Sequence, residues 1–439
     1  MKSGAEFLKT VFVLLTDFVD GTRKKGREVQ TIASRNETGK GNEKVREKVI
    51  GRKHFRIVPD EYGQHYDHKL LITIFVLCCF GLVMVYSSSA YVASVSGTGE
   101  YYFLIREAVF MAIGIAVMLL ISKLDYNWFV KFTAPLYLLS VALMVLTDFT
   151  PFGVEINGQK RWLNLFPGVK SLPTYQPTEI VKIALILTFA YMINRCIKNI
   201  DRLPVMFTMI LMLAPLAGLV VINNLSSGII IAGIGCFMYF IASRRKKLYL
   251  VLLVLVSAAV VVIYLKPTVL VSLHLVEDYQ LTRIQVWKDP SVDPLDKGFQ
   301  VLQGLYAIGS GGLFGKGLGS SVQKLGFIPE SHNDMIFSII CEELGIFGAV
   351  CVIVLFAYMI YRFVYIILRA PDLYGAMIVS GVMIHIALQV ILNIAVVTNT
   401  IPNTGVTLPF ISYGGTSVAI LLAEMGMVLS VSNQIIYEK

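Results

Sequence analysis

Charged residues are scarce in this chain. Only 15% of its 439 residues are Asp, Glu, Lys or Arg, whereas 56% are hydrophobic. Because soluble domains carry roughly 25% charged residues, this composition excludes an ordinary soluble protein and predicts an all-α polytopic membrane protein. The formal net charge of +9 suits a protein that faces anionic lipid, and it gives no reason to expect a nucleic-acid partner.

Cysteine is scarce as well. The six cysteines lie in or beside apolar segments, and their spacing fits neither a zinc site nor a disulfide framework. They are therefore expected to be small packing residues: Cys78, Cys79, Cys196, Cys236, Cys341 and Cys351.

A polar segment at the N-terminus differs from the rest of the chain. Residues 1–68 hold 14 Lys and Arg against 10 Asp and Glu, which predicts a basic cytoplasmic tail. Apolar residues recur at helical spacing from Phe7 to Val19, so a short amphipathic helix on the membrane surface is expected inside this tail. The remaining residues, 69–436, are expected to form one membrane domain.

Apolar runs of the length of a membrane helix fill that domain. Ten runs lie near the ~20 residues that a helix needs to cross a bilayer. The predicted spans are 70–89, 104–122, 129–147, 177–195, 204–222, 227–243, 248–265, 335–361, 375–397 and 414–433.

Basic residues in the short loops orient these helices. Lys and Arg concentrate in the tail and in every second short loop, as in the run Arg244-Arg245-Lys246-Lys247, and such loops stay in the cytoplasm. Ten spans then place both termini in the cytoplasm and the two longest loops, roughly 148–176 and 266–334, outside. These outer loops are the expected working surface.

Ionisable residues cluster in and beside the first outer loop. Lys160 and Arg161 stand next to Trp162, and this combination suits recognition of a diphosphate, although Trp is also an ordinary interfacial anchor. Glu179 and Lys182 are three residues apart on a predicted helix and can pair. Charges inside a membrane helix are functional candidates, with a structural ion pair as the alternative.

The second outer loop ends in the polar run Pro329–Asp334. A carboxylate with an imidazole two residues away, at the mouth of a membrane helix, is a candidate site for chemistry, with an ordinary loop end as the alternative. The glycine-rich stretch 308–319 precedes this run, and it lacks the first Gly and the final Ser or Thr of a phosphate-binding P-loop. Glu342 and Glu343 follow inside the predicted helix.

The last outer loop, 400–417, has two prolines and many hydroxyl groups but no charge. This pattern predicts a re-entrant or cavity-lining segment, which a membrane tolerates only where protein or water satisfies the backbone.

Taken together, these motifs resemble one family, the shape, elongation, division and sporulation proteins, to which FtsW, RodA and SpoVE belong. The resemblance covers about residues 70–435, and the features near Lys324 and His332 are more similar to FtsW and SpoVE than to RodA. It is carried by Arg161-Trp162, Gln176–Glu179 with Lys182, Ala307–Gly312, Pro329–Asp334, Glu342–Gly345 and Leu408–Gly415.

The resemblance implies a ten-helix peptidoglycan glycosyltransferase that polymerises lipid II on the outer face of the bacterial cytoplasmic membrane, in cell division or sporulation. Asp334 matches the essential aspartate of the family and is the expected general base, with Mg²⁺ or Mn²⁺ at this residue left open. The expected substrate-binding residues are Arg161, Trp162, Glu179, Lys182, Lys324, His332, Glu343 and Ser412.

A class B penicillin-binding protein, acting as transpeptidase, is the partner that the resemblance implies, together with other division or sporulation membrane proteins. The segment Asn223–Gly228 departs from the family because it lacks an acid that many members have. A lipid II flippase and a non-catalytic division scaffold remain alternative functions. A flippase would depend on Glu179 and Lys182 more than on Asp334, whereas a scaffold would tolerate changes at all three.

Overall fold

The protein consists mainly of long apolar helices. The computed structural model describes residues 66–156, 159–164, 175–245, 251, 285–292 and 298–435. The helices of this part are α1 (His68–Val95), α2 (Tyr102–Ser122), α3 (Thr133–Phe149), α4 (Pro177–Cys196), α5 (Leu203–Asn223), α6 (Leu225–Ala242), α7 (Phe299–Gly311), α8 (Ile336–Arg369), α9 (Leu373–Val397) and α10 (Thr416–Asn433).

Nine helices in the described part of the chain are long and apolar enough to cross a membrane. They are all of those above except α7, and they coincide with nine of the ten predicted spans. The predicted span 248–265 lies outside the described residues, as does almost all of the predicted tail at 1–68. The polytopic helical fold is thus confirmed.

One feature differs from the all-α prediction. Two short antiparallel strands, β1 (Gly153–Ile156) and β2 (Gln159–Leu163), form a hairpin in the first long loop. The Asn157-Gly158 pair between them is a strong hairpin signal. The loop therefore builds a small sheet of its own after α3.

The helices enclose α9, whose side chains are mostly buried. α9 packs against α4, α6, α8 and α10, while α10 lies along α2. By contrast, α5 packs mainly against α6 and α3 and exposes large apolar side chains such as Phe207 and Leu211. An apolar outer surface of this kind is expected where lipid surrounds the protein.

α8 is broken near its start. Gly345 has φ 68° and ψ −166°, so the hydrogen-bond ladder of the helix is interrupted there. The glycine-rich segment 311–317 fills the gap. The amides of Lys316 and Gly317 donate to the carbonyls of Glu342 and Glu343, both at 2.9 Å.

The other side of the break is satisfied by the same segment. The amides of Ile346 and Phe347 donate to the carbonyls of Gly312 and Leu313, at 3.0 and 3.1 Å. Because a bilayer offers backbone groups no water partner, these four bonds make the break tolerable. The glycine-rich stretch is thus a packing element against α8.

Gly345 offers a direct test of this arrangement. An alanine Cβ there would collide with the backbone of Gly315 and Leu313, and φ +68° is itself unfavourable for a residue with a Cβ. Gly345→Ala is expected to destabilise the protein by about 2 kcal/mol or more. Thermal unfolding in detergent measures this loss.

Gly218→Ala is the matched control. Gly218 lies inside α5, and a Cβ there would meet nothing within 4 Å. Alanine is favoured over glycine in helices by about 1 kcal/mol, so this variant should unfold at the wild-type temperature or above. Equal melting temperatures for the two variants would contradict the role assigned to Gly345.

Candidate active site around Asp334

Asp334 lies two residues before α8 and is partly buried. Its Oδ1 accepts a hydrogen bond from Nε2 of Gln300 on α7, at 3.3 Å. Its backbone carbonyl accepts from Nδ2 of Asn393 on α9, at 2.8 Å. The aspartate is therefore held at the start of α8 by side chains of α7 and α9.

The segment 403–406 closes over this position. Asn403 donates to Oε1 of Gln300 at 3.2 Å, and Asn393 donates to the carbonyl of Val406 at 2.7 Å. Ser226, at the start of α6, donates to the carbonyl of Thr404 at 2.6 Å. The predicted cavity-lining loop is thus tied to α6, α7 and α9.

The surroundings of Asp334 change its acidity. Burial and the nearby Glu330 carboxylate raise the pKa of Asp334 to about 7, while Arg161 and the hydrogen bond from Gln300 oppose this rise. A general base works best when its pKa lies near the operating pH. The environment thus suits proton transfer better than an ordinary exposed aspartate would.

Arg161 is placed by a β-bulge. Val154 pairs with Trp162 and Glu155 pairs with Lys160, so Arg161 is the extra residue on β2. A bulge of this kind re-aims a side chain. The Nε of Arg161 donates a hydrogen bond to the carbonyl of Asn223, at 3.0 Å.

Asn223 is itself held, because its Nδ2 donates to Asp148 at the end of α3, at 2.8 Å. Asn223 and Ser226 belong to the segment that departs from the family pattern. The segment therefore contacts the site despite its lack of an acid.

Arg161 and Asp334 both approach Gly405. A Cβ built on Gly405 would lie 3.8 Å from Oδ2 of Asp334 and 3.9 Å from Nη1 of Arg161. The two charged groups thus come near the same point beside Gly405. A carboxylate and a guanidinium near one point can supply a base and a bidentate cation to one ligand.

Glu179 and Lys182 form the predicted ion pair in the first turns of α4, at 2.9 Å. Lys182 is buried. Within the described ranges, no hydrogen bond or ion pair connects this pair with Asp334. Its predicted contribution to binding stays a prediction, as does the structural alternative.

Lys324 and Glu343 bind each other. Nζ of Lys324 lies 2.7 Å from Oε1 of Glu343 and 3.0 Å from Oγ of Ser87, and all three side chains are buried. A second pair, Lys316 with Glu342 at 2.6 Å, lies at the same helix break. Both pairs join the loop before α8 to the helix, which gives Lys324 and Glu343 a structural role beside the predicted one.

The remaining predicted residues, His332, Ser412 and Trp162, have contacts of their own. His332 is buried between Phe103 and Tyr413, with ring centroids 4.7 and 5.6 Å apart, and burial lowers its pKa. Oγ of Ser412 accepts from the amide of Leu408 at 2.8 Å. Trp162 is half-buried on β2. These contacts shape the site, and substrate contact by these residues stays a prediction.

Several polar residues around the site were absent from the predicted set. Asn393 and Glu107 stand in otherwise apolar spans, and a polar residue in such a span is the signal that would have found them. Gln300 and Asn403 lie on α7 and in a polar loop, where nothing in the sequence distinguishes them.

The residues around Asp334 offer few side-chain ligands for a metal ion. No group of three or more His, Cys, Asp or Glu side chains converges in the described segments. Near Asp334 the other oxygen-bearing side chains include the amide of Gln300 and the carboxylate of Glu330. Mg²⁺ commonly takes one or two carboxylates and completes its shell with water and substrate phosphates. The site therefore fits a cation shared with a phosphate-bearing ligand.

The fold and site define a class: a polytopic membrane protein with a partly buried carboxylate and a guanidinium near one point. Residues 68–436 match the family model of FtsW, RodA and SpoVE, described as cell cycle protein. The chain belongs to this family.

Curated relatives support the assignment over most of their length. The chain is 37% identical over 368 residues to stage V sporulation protein E of Bacillus subtilis, which covers 83% of this chain and 96% of the relative. It is 33% identical to the probable peptidoglycan glycosyltransferase FtsW of Geobacter metallireducens, with 84% and 96% covered.

Solved structures share the fold. A chain of a peptidoglycan synthase complex that coordinates polymerization and crosslinking superposes with a TM-score of 0.68 at 27% identity, covering 84% of this chain and 98% of that one. The rod shape determining protein RodA of Thermus thermophilus gives 0.59 at 24% identity, with 85% and 98% covered. The latter likeness is one of fold.

Variants of the Lys324–Glu343 pair test whether the pair has a structural role or a substrate-binding role. Lys324→Met leaves Glu343 as an uncompensated buried charge and is expected to cost about 3–5 kcal/mol of stability. Lys324→Met combined with Glu343→Gln removes both charges and should recover most of the melting temperature.

Activity of the double variant then decides the question. If the pair is structural, recovered stability brings recovered activity in a polymer-forming assay. If Lys324 binds substrate, the double variant folds well and stays inactive.

Proposed function

We propose that Asp334 is the general base of a peptidoglycan glycosyltransferase that polymerises lipid II. The chain belongs to a family with curated glycosyltransferase members and aligns with them over nearly their whole length. The observation that carries the proposal is that Oδ2 of Asp334 and Nη1 of Arg161 both come near the same point beside Gly405.

Asp334 would take the proton of the 4-hydroxyl of the acceptor GlcNAc. The hydroxyl oxygen then bonds to C1 of the donor MurNAc, and the bond from C1 to the diphosphate oxygen breaks. Undecaprenyl diphosphate leaves with the electron pair. A pKa of about 7 at Asp334 makes this carboxylate a far better base for an alcohol than an ordinary aspartate.

The leaving diphosphate is an anion and needs cations more than a proton. Arg161 is the favoured cation, because its guanidinium comes near the same point beside Gly405 as the carboxylate of Asp334. A guanidinium matches phosphate oxygens in a bidentate way. Lys182 is a further candidate that Glu179 holds, whereas Lys324 is already engaged by Glu343.

A divalent cation, Mg²⁺ or Mn²⁺, fits this scheme with Asp334 as its protein ligand. When bound, it would neutralise negative charge on the diphosphate. Gln300 would keep its hydrogen bond to Oδ1 and so orient the carboxylate.

We place the site on the outer face of the cytoplasmic membrane, with both termini inside. Basic residues support this orientation: Arg195, Arg244 and Arg369 lie at the ends of α4, α6 and α8, whereas Asp334 precedes α8. Cross-linking would come from a class B penicillin-binding protein. A related chain is part of a complex that coordinates polymerization and crosslinking, which supports such a partner.

Removal of the base is the first test. Asp334→Asn keeps the size of the side chain and its oxygen acceptor for Gln300 but cannot accept a proton. We expect polymerisation of lipid II to fall by 10²-fold or more, measured as glycan ladders from purified protein with divalent cation, with and without its transpeptidase. Unchanged ladders from a well-folded variant would refute the assignment.

The same reaction separates the competing functions. A flippase or a scaffold would form no ladder under any of these conditions, even with the transpeptidase present. A flippase would instead move lipid II across vesicles and lose this movement in Lys182→Met.

The pH dependence is the second test. Asp334 must be ionised to act as a base, so kcat/KM should fall as the pH drops below about 7. Glu330→Gln removes the exposed like charge that raises the pKa of Asp334. The acid limb of this variant should therefore move to lower pH, with higher activity than wild type at pH 6.

The pH profiles of wild type and Glu330→Gln are measured in the same buffer series. Folded Asp334→Asn serves as the blank for activity that does not depend on Asp334. If the acid limb of the kcat/KM profile lies at the same pH in Glu330→Gln as in wild type, the limb follows the ionisation of a group other than Asp334.

A further inference from the structure

A carboxylate outside the proposed catalytic set supports the site from a neighbouring helix. Glu107 lies inside α2 and is 1% exposed. Its Oε2 accepts hydrogen bonds from the amides of Gly414 and Gly415, at 3.2 and 2.9 Å. These are the two residues directly before α10 begins at Thr416.

The contact satisfies backbone amides at the start of α10. Gly415 is the N-cap residue of α10 and provides no side chain to cap the helix. Amides at a helix N-terminus carry partial positive charge. The Glu107 carboxylate therefore binds the amides of the N-cap residue and of the residue before it.

A short chain of contacts leads from this cap to Asp334. The amide of Tyr413 donates to the carbonyl of His332 at 2.9 Å. Phe103, one turn before Glu107 on α2, packs against both rings, with centroid distances of 4.7 Å to His332 and 5.1 Å to Tyr413. His332 is two residues before Asp334.

From these contacts we infer that Glu107 is a positioning residue for Asp334, acting through the backbone of segment 412–415. This inference rests on the proposed role of Asp334 as base. Without the two bonds, segment 412–415 would shift at its hydrogen bond to His332. A displacement of about 1 Å at a reacting group can cost roughly 10²-fold in rate.

Two substitutions distinguish the length of the Glu107 side chain from its charge. Glu107→Gln keeps the length of the side chain and an oxygen for the amides of Gly414 and Gly415, but it removes the charge. Glu107→Asp keeps the charge and withdraws it by about one C–C bond, ~1.5 Å, so the hydrogen bonds are lost or lengthened.

The positioning role predicts opposite outcomes for this pair. Glu107→Gln should keep kcat for lipid II polymerisation within about threefold of wild type. Glu107→Asp should lower kcat roughly 10- to 100-fold with KM changed less than about threefold, because the base is displaced while substrate binding remains. The acid limb of the pH profile should stay in place in both variants.

Glu424→Gln is the matched control. Glu424 on α10 is equally buried, and its carboxylate is bonded to His385 at 2.8 Å. This pair lies in the described core between α9 and α10, away from segment 412–415. Its variant should show wild-type kcat, whatever its effect on melting temperature.

Wild-type kcat in Glu107→Asp, or a loss in Glu107→Gln with Glu107→Asp intact, would overturn the inference. If Glu107→Asp does not fold, a large loss of kcat in well-folded Glu107→Gln is sufficient to overturn it, and retained activity supports it. Asp334→Asn runs in parallel. Activity in that variant would defeat the proposed function itself, whereas its inactivity together with active Glu107→Asp would defeat only the positioning role.

Discussion

The requirement that every peptide group inside a bilayer finds a partner within the protein governs this structure. Two places where the backbone leaves the helical pattern show how it is met. At Gly345 the segment 311–317 inserts its own backbone into the ladder of α8. Directly before α10 the side chain of Glu107 accepts hydrogen bonds from the amides of Gly414 and Gly415. The second place is connected to the run before Asp334 through the hydrogen bond from the amide of Tyr413 to His332.

Burial among the helices explains why the pKa of Asp334 is raised. A carboxylate among helices is harder to ionise than one in water, and the guanidinium of Arg161 limits this effect. The amides of Gln300 and Asn393 hold the residue without adding charge. The proposed base would therefore be of intermediate strength, and a cation suited to a diphosphate comes near the same point beside Gly405. Other charged pairs, such as Lys324 with Glu343, neutralise each other and connect the loop before α8 to the helix.

Much of the fold was predictable because membrane helices are recognised in a sequence as long apolar runs with few charges. The strands β1 and β2 were missed because they lie in a long polar loop, although Asn157-Gly158 is a strong turn signal. Arg161 was predicted from its position beside Trp162, and the resemblance singled out Asp334 within the polar run Pro329–Asp334. Glu107 and Asn393 were not, even though a polar residue in an apolar run is a visible signal, and the partners of Gln300 and Asn403 depend on contacts between distant segments.

The sequence by itself determined the class of protein, the placement of the helices and the family, since each depends on local composition or on motifs read in order. Only the tertiary structure decided what each charge contacts, because these contacts join segments that are distant in the sequence. Lys182, Lys324 and Arg161 look alike as cations in a sequence. In the structure Lys182 pairs with Glu179 and Lys324 pairs with Glu343. Arg161, the extra residue of a β-bulge, donates to the carbonyl of Asn223 and comes near the same point beside Gly405 as Asp334 does.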